Sequence, residues 1–201
     1  MYATFYNMPE VTHYGAQMLS NREILHREIC NACGKVKRAE RHILYDISRS
    51  ADMNGLDLVI QSDVIPDDIP DFHKITSIDM SDVLDRIHEG DDFVFSIKTA
   101  PYKSLKGKKY YIPASEDRKN WVKRKFATYG IEVNTVRESN GAVPVDFEHK
   151  KSFGGKGHVD AMVYMGTGTV VNEEQMKESL KNGIGPGKAY GLGLLKILKI
   201  G

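Results

Sequence analysis

The chain has 201 residues, of which 41% are hydrophobic and 27% charged, a composition typical of a globular protein with one or two compact domains. Its net charge is only +1, so a nucleic-acid interface would have to come from local charge. No apolar run approaches the ~20 residues of a membrane span, and the first residues lack a signal-peptide pattern, so we expect a cytoplasmic protein in a reducing environment, with no membrane partner.

The first half of the sequence predicts the element order β-α-β-β-α-β. Its first helix is expected to begin at Ser20, because SNRE is a capping-box pattern in which Ser20 and Glu23 satisfy free backbone amides. Leu25 and Ile29 recur at helical spacing and would form the buried stripe, and Gly34 would end the helix. The predicted strands are residues 2–8, 42–48, 56–62 and 92–98, and a second helix is predicted at residues 80–90.

The second half repeats this order less regularly. Ser115 is expected to cap a helix that buries Trp121 and Phe126, and Gly154 with Gly155 predicts a tight hairpin turn between alternating strands. The other predicted elements are strands at residues 108–113, 131–136 and 192–200 and a helix at residues 172–183.

These elements predict an α+β protein with tandem ferredoxin-like (RRM-like) domains, the βαββαβ order being repeated. We place an N-terminal domain at residues 1–99 and a C-terminal domain, with a basic hairpin and a glycine-rich loop, at residues 100–201. Acidic residues predominate from 63 to 92, whereas basic residues predominate from 98 to 125 and again from 149 to 158. The near-neutral total can therefore conceal a basic face, although charge runs are commonly just solvated surface.

The most unusual segment is GIGPGKAYGLGLLKI, residues 183–197. It is not a Walker A loop, because Ala189 follows Lys188 where a hydroxyl would bind Mg²⁺, and Asn182 stands where the first glycine is needed. A dinucleotide fingerprint is not expected either, because no βαβ unit with an acidic residue about 20 positions on follows it. The sequence therefore indicates no nucleotide cofactor, and we expect no other cofactor.

The glycine-rich segment resembles the C-terminal glycine-rich loop of the CasE endoribonucleases, RAMP-superfamily proteins that process CRISPR RNA precursors in type I-E systems. Further segments resemble this family in order and spacing. MLSNREILHREI is similar to the segment leading into its first helix, with the histidine at His26, FSIKTAPYKS to its R-x-N-P-x-K strand and loop, and PASEDRKNWVKRKF to the helix that opens its second domain. The resemblance covers nearly the whole chain, and the glycine-rich loop is its most specific part.

The resemblance implies two RRM-like or ferredoxin-like domains side by side. It also implies metal-independent cleavage of RNA beside a repeat stem-loop, with the product kept bound, and assembly into the Cascade surveillance complex. The expected partners are therefore a CRISPR repeat RNA stem-loop and the other Cascade subunits, and we expect the free protein to be a monomer.

The sequence departs from the family pattern at two places. The family often carries a tyrosine three residues before the histidine, where this chain has Glu23, so a tyrosine role in catalysis is in doubt and Tyr14 is one candidate substitute. The family's N-P-x-K segment is Ala-Pro-Tyr-Lys here, at residues 100–103.

His26 is the candidate catalytic residue. RNA carries its own nucleophile, a 2′-hydroxyl that must be deprotonated, and the leaving 5′-oxygen needs a proton. Histidine suits both steps because its pKa lies near 6.5. His26 follows Leu25, so it projects about 100° around the helix from the buried stripe. On the residues alone a surface histidine is the simpler interpretation, and the resemblance is what favours catalysis.

Other residues are candidates for RNA contact: Arg27, Lys98, Lys103, Lys150, Lys151, Lys156, Gly185, Gly187 and Lys188. The hairpin lysines would grip a stem by its backbone, since A-form RNA is recognised largely by shape. In the glycine loop, missing side chains would let backbone amides approach a phosphate, and Lys188 could stabilise charge beside the scissile phosphate. The alternatives are solvated basic side chains and a loop whose role is purely structural.

Two arrangements that suggest metal sites are explained more simply. Cys30 and Cys33 with His42 provide fewer than the four ligands of a structural zinc, and Cys33 falls on the apolar stripe. The four aspartates of residues 63–71 lie in a proline-punctuated loop, which favours a solvated acidic segment over a two-metal nuclease site. We expect no bound metal.

Three functions are compatible with the sequence. The first is a CRISPR RNA endoribonuclease, and the second is a non-catalytic RNA-binding subunit of a CRISPR complex on the same fold, which the Glu23 departure leaves open. An ordinary RRM would carry an aromatic RNP motif, and we find none. A small-molecule enzyme on this fold is the third, and it lacks a cofactor signature.

Overall fold

The structure is a computed structural model that describes residues 1–35, 37–106, 108–148 and 155–200. Its chain divides into two compact units, each built from separate stretches of sequence. The first unit comprises Met1–Asp82, Pro144–Val159 and Lys188–Gly191, and the second comprises Val83–Val143, Asp160–Gly187 and Leu192–Gly201.

The first unit contains a four-stranded antiparallel sheet. Its elements are β1 (Tyr2–Met8), α1 (His13–Ser20), α2 (Arg22–Ala32), a short 3-10 helix (Arg38–Arg41), β2 (Leu44–Arg49), β3 (Leu56–Ser62) and β4 (His73–Asp79). The strand order is β2-β3-β1-β4, and Phe5 of β1 lies opposite Val59 of β3 and Thr76 of β4. The first and third strands are therefore central, as in a ferredoxin-like domain.

Helix α2 packs on this sheet through the predicted apolar stripe. Leu25 and Ile29 are fully buried, and they share one hydrophobic core with Tyr6, Tyr45 and Leu58 from strands β1, β2 and β3. The helical spacing of the apolar residues was therefore sufficient to orient α2 correctly.

The predicted cap of α2 is wrong by one residue. Asn21 is the N-cap, because its Oδ1 accepts the backbone N–H of Glu23 at 3.1 Å. Ser20 instead ends α1, a helix that the sequence analysis missed, and its hydroxyl donates to the carbonyl of Gln17 at 3.0 Å. Because α1 continues to Ser20, the backbone there is helical and a capping box cannot form.

The predicted strand at residues 92–98 is present, but its expected place in the first domain is wrong. Residues 92–98 pair in the second unit, and β4 takes the edge position in the first sheet. The sequence HKITSID of β4 is exposed along nearly its whole length, so it shows no clear alternation of buried and exposed residues. The predicted helix at residues 80–90 is reduced to α3 (Ser81–Asp85).

The remaining elements of the chain are β5 (Asp92–Thr99), β6 (Tyr102–Leu105), β7 (Lys108–Tyr111), α4 (Ser115–Ala127), β8 (Ile131–Glu138), β9 (Val143–Glu148), β10 (Lys156–Val170), α5 (Glu173–Asn182), a 3-10 turn (Lys188–Tyr190) and β11 (Leu195–Ile200). Most of β9 and the 3-10 turn belong to the first unit. In the second unit, β5, α4, β8, β10, α5 and β11 form a complete βαββαβ set. The main sheet has the order β11-β5-β10-β8, again with the first and third strands of the set in the centre. Strands β6 and β7 form a separate two-stranded hairpin.

Helices α4 and α5 cover this second sheet. Phe126 of α4 packs against Phe95 of β5 with ring centroids 4.8 Å apart, and Trp121 and Leu180 belong to the same core. Ser115 is not the cap that the sequence predicted, because Ala114 occupies the N-cap position without a side-chain hydrogen bond.

Ser115 joins a buried ionic network instead. Its hydroxyl donates to Glu138 at 2.7 Å, Arg118 donates to both carboxylate oxygens at 2.6 and 2.7 Å, and Tyr164 donates at 2.7 Å. Burial opposes the charge of Glu138, but these hydrogen bonds outweigh it and lower the pKa of Glu138 to about 2. The network therefore ties α4 to β8 and β10 within the second unit.

Candidate functional site

His26 lies on the partly exposed side of α2 in the first unit. Leu25 and Ile29 of the same helix are fully buried and hold it on the sheet. The hydrophobic core that they join does not include the imidazole of His26. Both ring nitrogens of His26 lie 3.8 Å from the Sγ of Cys30, one helical turn on. The side chain is therefore presented at the surface of a well-anchored helix, as its position beside the buried stripe predicted.

The 3-10 turn Lys188–Tyr190 packs against α2 in the same unit. Tyr45 of β2, which is fully buried, fixes this turn by donating its hydroxyl to the carbonyl of Ala189 at 2.9 Å. The fold thus places Lys188 on a segment that contacts the helix of His26, although 162 positions separate the two residues in the sequence. The role proposed for Lys188 beside a scissile phosphate stays a prediction.

Tyr190 is a residue that the sequence analysis did not select. It ends the 3-10 turn that packs against α2, and burial and the nearby charge of Glu23 raise the pKa of its phenol. Its ring stacks on Phe147 with centroids 4.1 Å apart and an interplanar angle of 7°. Nothing in the local sequence indicated this position, because the contact joins a glycine-loop residue to a distant strand.

The base of the predicted basic hairpin is anchored to α2. Glu148, at the end of β9, donates its backbone N–H to Oδ1 of Asn21 at 3.2 Å. Lys150 and Lys151 lie outside the described residues, and Lys156 begins β10 with its side chain outside them as well. Their proposed contact with RNA stays a prediction.

Two arginines flank His26 and differ in environment. Arg27 is exposed, and its guanidinium lies 3.5 Å from the carboxylate of Glu28. Arg22 is only 6% exposed, and its Nε and Nη1 atoms are buried without a hydrogen-bond partner in the described part of the chain. Burial lowers the pKa of Arg22, whereas Tyr45 and Asp46 act against that shift.

The lysines predicted on β5 and β6 belong to the second unit. Lys98 is only 9% exposed, and its backbone carbonyl accepts the N–H of Gly193 at 2.8 Å. Lys103 is exposed on the hairpin formed by β6 and β7. Of the two, Lys103 presents the more accessible ammonium group.

Gly185 and Gly187 have clear structural reasons to be glycine. Their φ angles are +88° and +79°, a region that other residues rarely adopt. A Cβ atom would lie 2.6 Å from the Thr99 hydroxyl at position 185 and 2.7 Å from Leu192 at position 187. Within the described chain neither glycine N–H donates a backbone hydrogen bond, which agrees with both the structural and the phosphate-binding interpretation.

The described ranges hold no cluster of three or more His, Cys, Asp or Glu side chains arranged to bind a metal ion. They also hold no helix that is long and apolar enough to cross a membrane.

A family model described as "CRISPR associated protein" matches residues 1–199. No curated protein sequence matches the chain significantly. Solved structures do match: one of the CRISPR endoribonuclease Cse3 bound to 19 nt RNA aligns at 20% identity with a TM-score of 0.82, over 99% of this chain and 100% of that chain.

Two further structures show the same similarity. Cse3 of Thermus thermophilus, bound to an RNA representing a pre-cleavage complex, aligns at 19% identity with a TM-score of 0.80, over 99% of this chain and 100% of that one. The CRISPR-associated protein Cas6e from Escherichia coli str. K-12 aligns at 16% identity with a TM-score of 0.75, over 98% of each chain. These similarities confirm the predicted α+β fold with tandem ferredoxin-like domains.

Proposed function

Because the chain belongs to the family of CRISPR-associated proteins, we propose that it is an endoribonuclease that processes CRISPR RNA precursors. Support comes from two structures of the same fold. One is of a protein named CRISPR endoribonuclease Cse3 bound to 19 nt RNA, and the other is of Thermus thermophilus Cse3 bound to an RNA representing a pre-cleavage complex. The observation that carries the proposal is the position of His26 on α2, with the turn of Lys188 packed against that helix.

The proposed reaction is an intramolecular transesterification of RNA. The 2′-hydroxyl next to the scissile phosphate loses its proton and its oxygen bonds to phosphorus, while the bond from phosphorus to the 5′-oxygen breaks and that oxygen gains a proton. The products are a 2′,3′-cyclic phosphate and a 5′-hydroxyl. His26 performs the proton transfers as general base or acid, and Lys188 stabilises the charge that develops on the phosphate oxygens.

Since RNA supplies the nucleophile and histidine transfers the protons, this reaction requires no metal ion. RNA binding is assigned to basic residues and loop amides of both units: Arg27, Lys98, Lys103, Lys150, Lys151, Lys156, Gly185, Gly187 and Lys188. Lys98 is only 9% exposed, so little of this residue is open to RNA. We further propose that the cleaved RNA stays bound and that the protein acts as a subunit of Cascade.

The test uses a cognate repeat RNA in EDTA. We expect one cut beside the stem, with a cyclic or 3′-phosphate on one product and a 5′-hydroxyl on the other. A substrate with hydrogen in place of the 2′-hydroxyl upstream of the cut should bind normally and stay intact. Strict Mg²⁺ dependence would contradict the mechanism, and tight binding without cleavage would identify a non-catalytic RNA-binding subunit.

A further inference from the structure

A small cavity in the second unit lies beside the glycine-rich loop. Its volume is about 280 Å³, and it is open to solvent. Aromatic rings, a lysine and the loop backbone line it: Tyr102, Trp121, Lys125, Tyr129, Gly185 and Pro186. The cavity is smaller than the roughly 300–1,000 Å³ of pockets that enclose drug-sized ligands, so its size suits a single planar ring system.

The loop backbone sits directly against the aromatic wall of this cavity. Trp121 is only 7% exposed, and a Cβ atom at position 185 would lie 3.2 Å from the edge of its ring. The absence of a side chain at Gly185 therefore allows the loop to pack onto the indole. Tyr129 also packs against the core, so the cavity has a rigid floor.

The rim of the cavity favours an anion. The ammonium of Lys125 lies 6.0 Å from the centre of the Trp121 ring, at the outer limit of a cation–π contact. Lys103 follows Tyr102 on the same hairpin strand, so it points to the opposite face and does not line the cavity. The N–H of Gly185 donates no backbone hydrogen bond in the described residues, so it is available to an external acceptor.

We propose that this cavity binds one unpaired nucleotide of a single-stranded RNA segment, with the base against the tyrosine rings and a phosphate near Lys125 and the Gly185 amide. The inference rests on the proposed function, because it takes RNA as the ligand. Stacking on aromatic side chains is how proteins hold unpaired bases of any sequence. A proline-rich peptide also suits aromatic grooves, but it offers no charge to match the lysine.

The protein carries a built-in probe for this site, since Trp121 is its only tryptophan. The full chain is titrated with single-stranded hexaadenylate, which has no stem, and tryptophan fluorescence is recorded. We expect a saturable change in fluorescence. Tyr102→Leu removes the stacking surface and should weaken binding roughly 5- to 100-fold, whereas Tyr102→Phe keeps the ring and should bind nearly as the wild type does.

Tyr110→Leu is the matched control. Tyr110 is a 45% exposed tyrosine on the same two-stranded hairpin, and it pairs with Lys103, whereas Tyr102 pairs with Tyr111. Since neighbouring residues of a strand point to opposite faces, Tyr110 lies on the face away from Tyr102, and its loss should leave hexaadenylate binding unchanged. Lys125→Gln should lower the slope of log K against log salt by about 0.7, the value for one phosphate contact on a single strand.

The proposal is overturned if hexaadenylate leaves the fluorescence unchanged, if Tyr102→Leu binds as tightly as the wild type, or if a polyproline peptide replaces RNA as the ligand that acts on Trp121. A stem-loop repeat RNA separates this failure from failure of the proposed function. If the wild-type protein cleaves the stem-loop normally but does not respond to hexaadenylate, only the proposed nucleotide site is contradicted. If the wild-type protein does not cleave the stem-loop, the proposed function itself is contradicted.

Discussion

His26 is held at the surface of α2 by neighbours that the fold needs, while the imidazole itself fills no part of the core. Leu25 and Ile29 bury the helix, and Asn21 caps it. Glu138 has a structural role instead, because its carboxylate accepts hydrogen bonds from Ser115, Arg118 and Tyr164. We therefore expect substitution of His26 to reduce activity and substitution of Glu138 to reduce stability.

His26→Ala should fold normally and lose cleavage. We expect the single-turnover rate to fall at least ~10²-fold, the usual size of a general acid–base contribution, with little change in affinity for the repeat RNA. His13→Ala, which removes an exposed histidine from α1, is the control and should cleave normally. Wild-type cleavage by a folded His26→Ala protein would eliminate His26 as the proton-transfer group.

Glu138→Gln should destabilise the second unit, because Arg118 would keep its charge in a buried site without a counter-charge. We expect the free energy of unfolding to fall by roughly 3 kcal/mol at pH 7, measured by urea denaturation. Glu132→Gln on the same strand changes an exposed carboxylate and should have little effect.

The pH dependence of this effect has a definite sign. The pKa of Glu138 is about 2 in the folded protein, below its ordinary value of 4.5, so the unfolded chain binds the proton more readily. The stabilisation is therefore complete above pH 4.5 and is lost as the pH falls towards 2. The difference between wild type and Glu138→Gln should shrink over that range, and a difference independent of pH would contradict the ionic role.

At the level of secondary structure, the N-terminus of α2 joins three segments of the first unit. Asn21 ends α1, caps α2 and accepts the backbone N–H of Glu148 from the hairpin strand. The 3-10 turn from Lys188 packs on the same helix. A change at this cap should consequently disturb more than one element.

Asn21→Ala should lower the free energy of unfolding by about 1–2 kcal/mol, because it removes the acceptor for two backbone amides. Ser20→Ala, one residue earlier, should change it by less than about 0.5 kcal/mol, since its exposed hydroxyl only donates to a carbonyl of its own helix. Thermal or urea unfolding of both variants checks this. The reverse order of effects would favour the capping box that SNRE suggested.

For the whole molecule, a net charge of +1 gives no general attraction to RNA, so affinity has to come from local clusters of basic residues. Residues 149–158 carry such a cluster, whereas acidic residues from 63 to 92 balance it in the total. The salt dependence of RNA binding measures how many of these basic residues contact phosphate.

The triple variant Lys150→Ala, Lys151→Ala and Lys156→Ala should weaken RNA binding and reduce the slope of log K against log salt by roughly 2–3 units. Removing Lys119, Lys177 and Lys181 instead changes the net charge equally and is the control; two of these lysines already pair with glutamates of their own helices. An unchanged slope in the hairpin variant would show that these lysines do not contact phosphate.

The sequence by itself determined the features that depend on local periodicity. The buried stripe of α2, the strands β1 and β3, the helix α5 and the surface position of His26 all followed from the spacing of apolar residues. Such patterns record which side of one element is buried, and they need no knowledge of its partner.

Only the tertiary structure decided which elements meet. Local sequence could not show that β5 pairs with β10 and β11, because a strand buried along most of its length suits either sheet equally well. It also could not show that Lys188 and Tyr190 return to α2, or that Gly185 is glycine because Thr99 and Trp121 occupy the space beside it. These facts rest on contacts between residues far apart in the chain, and the free energy of such contacts exists only once the chain has folded.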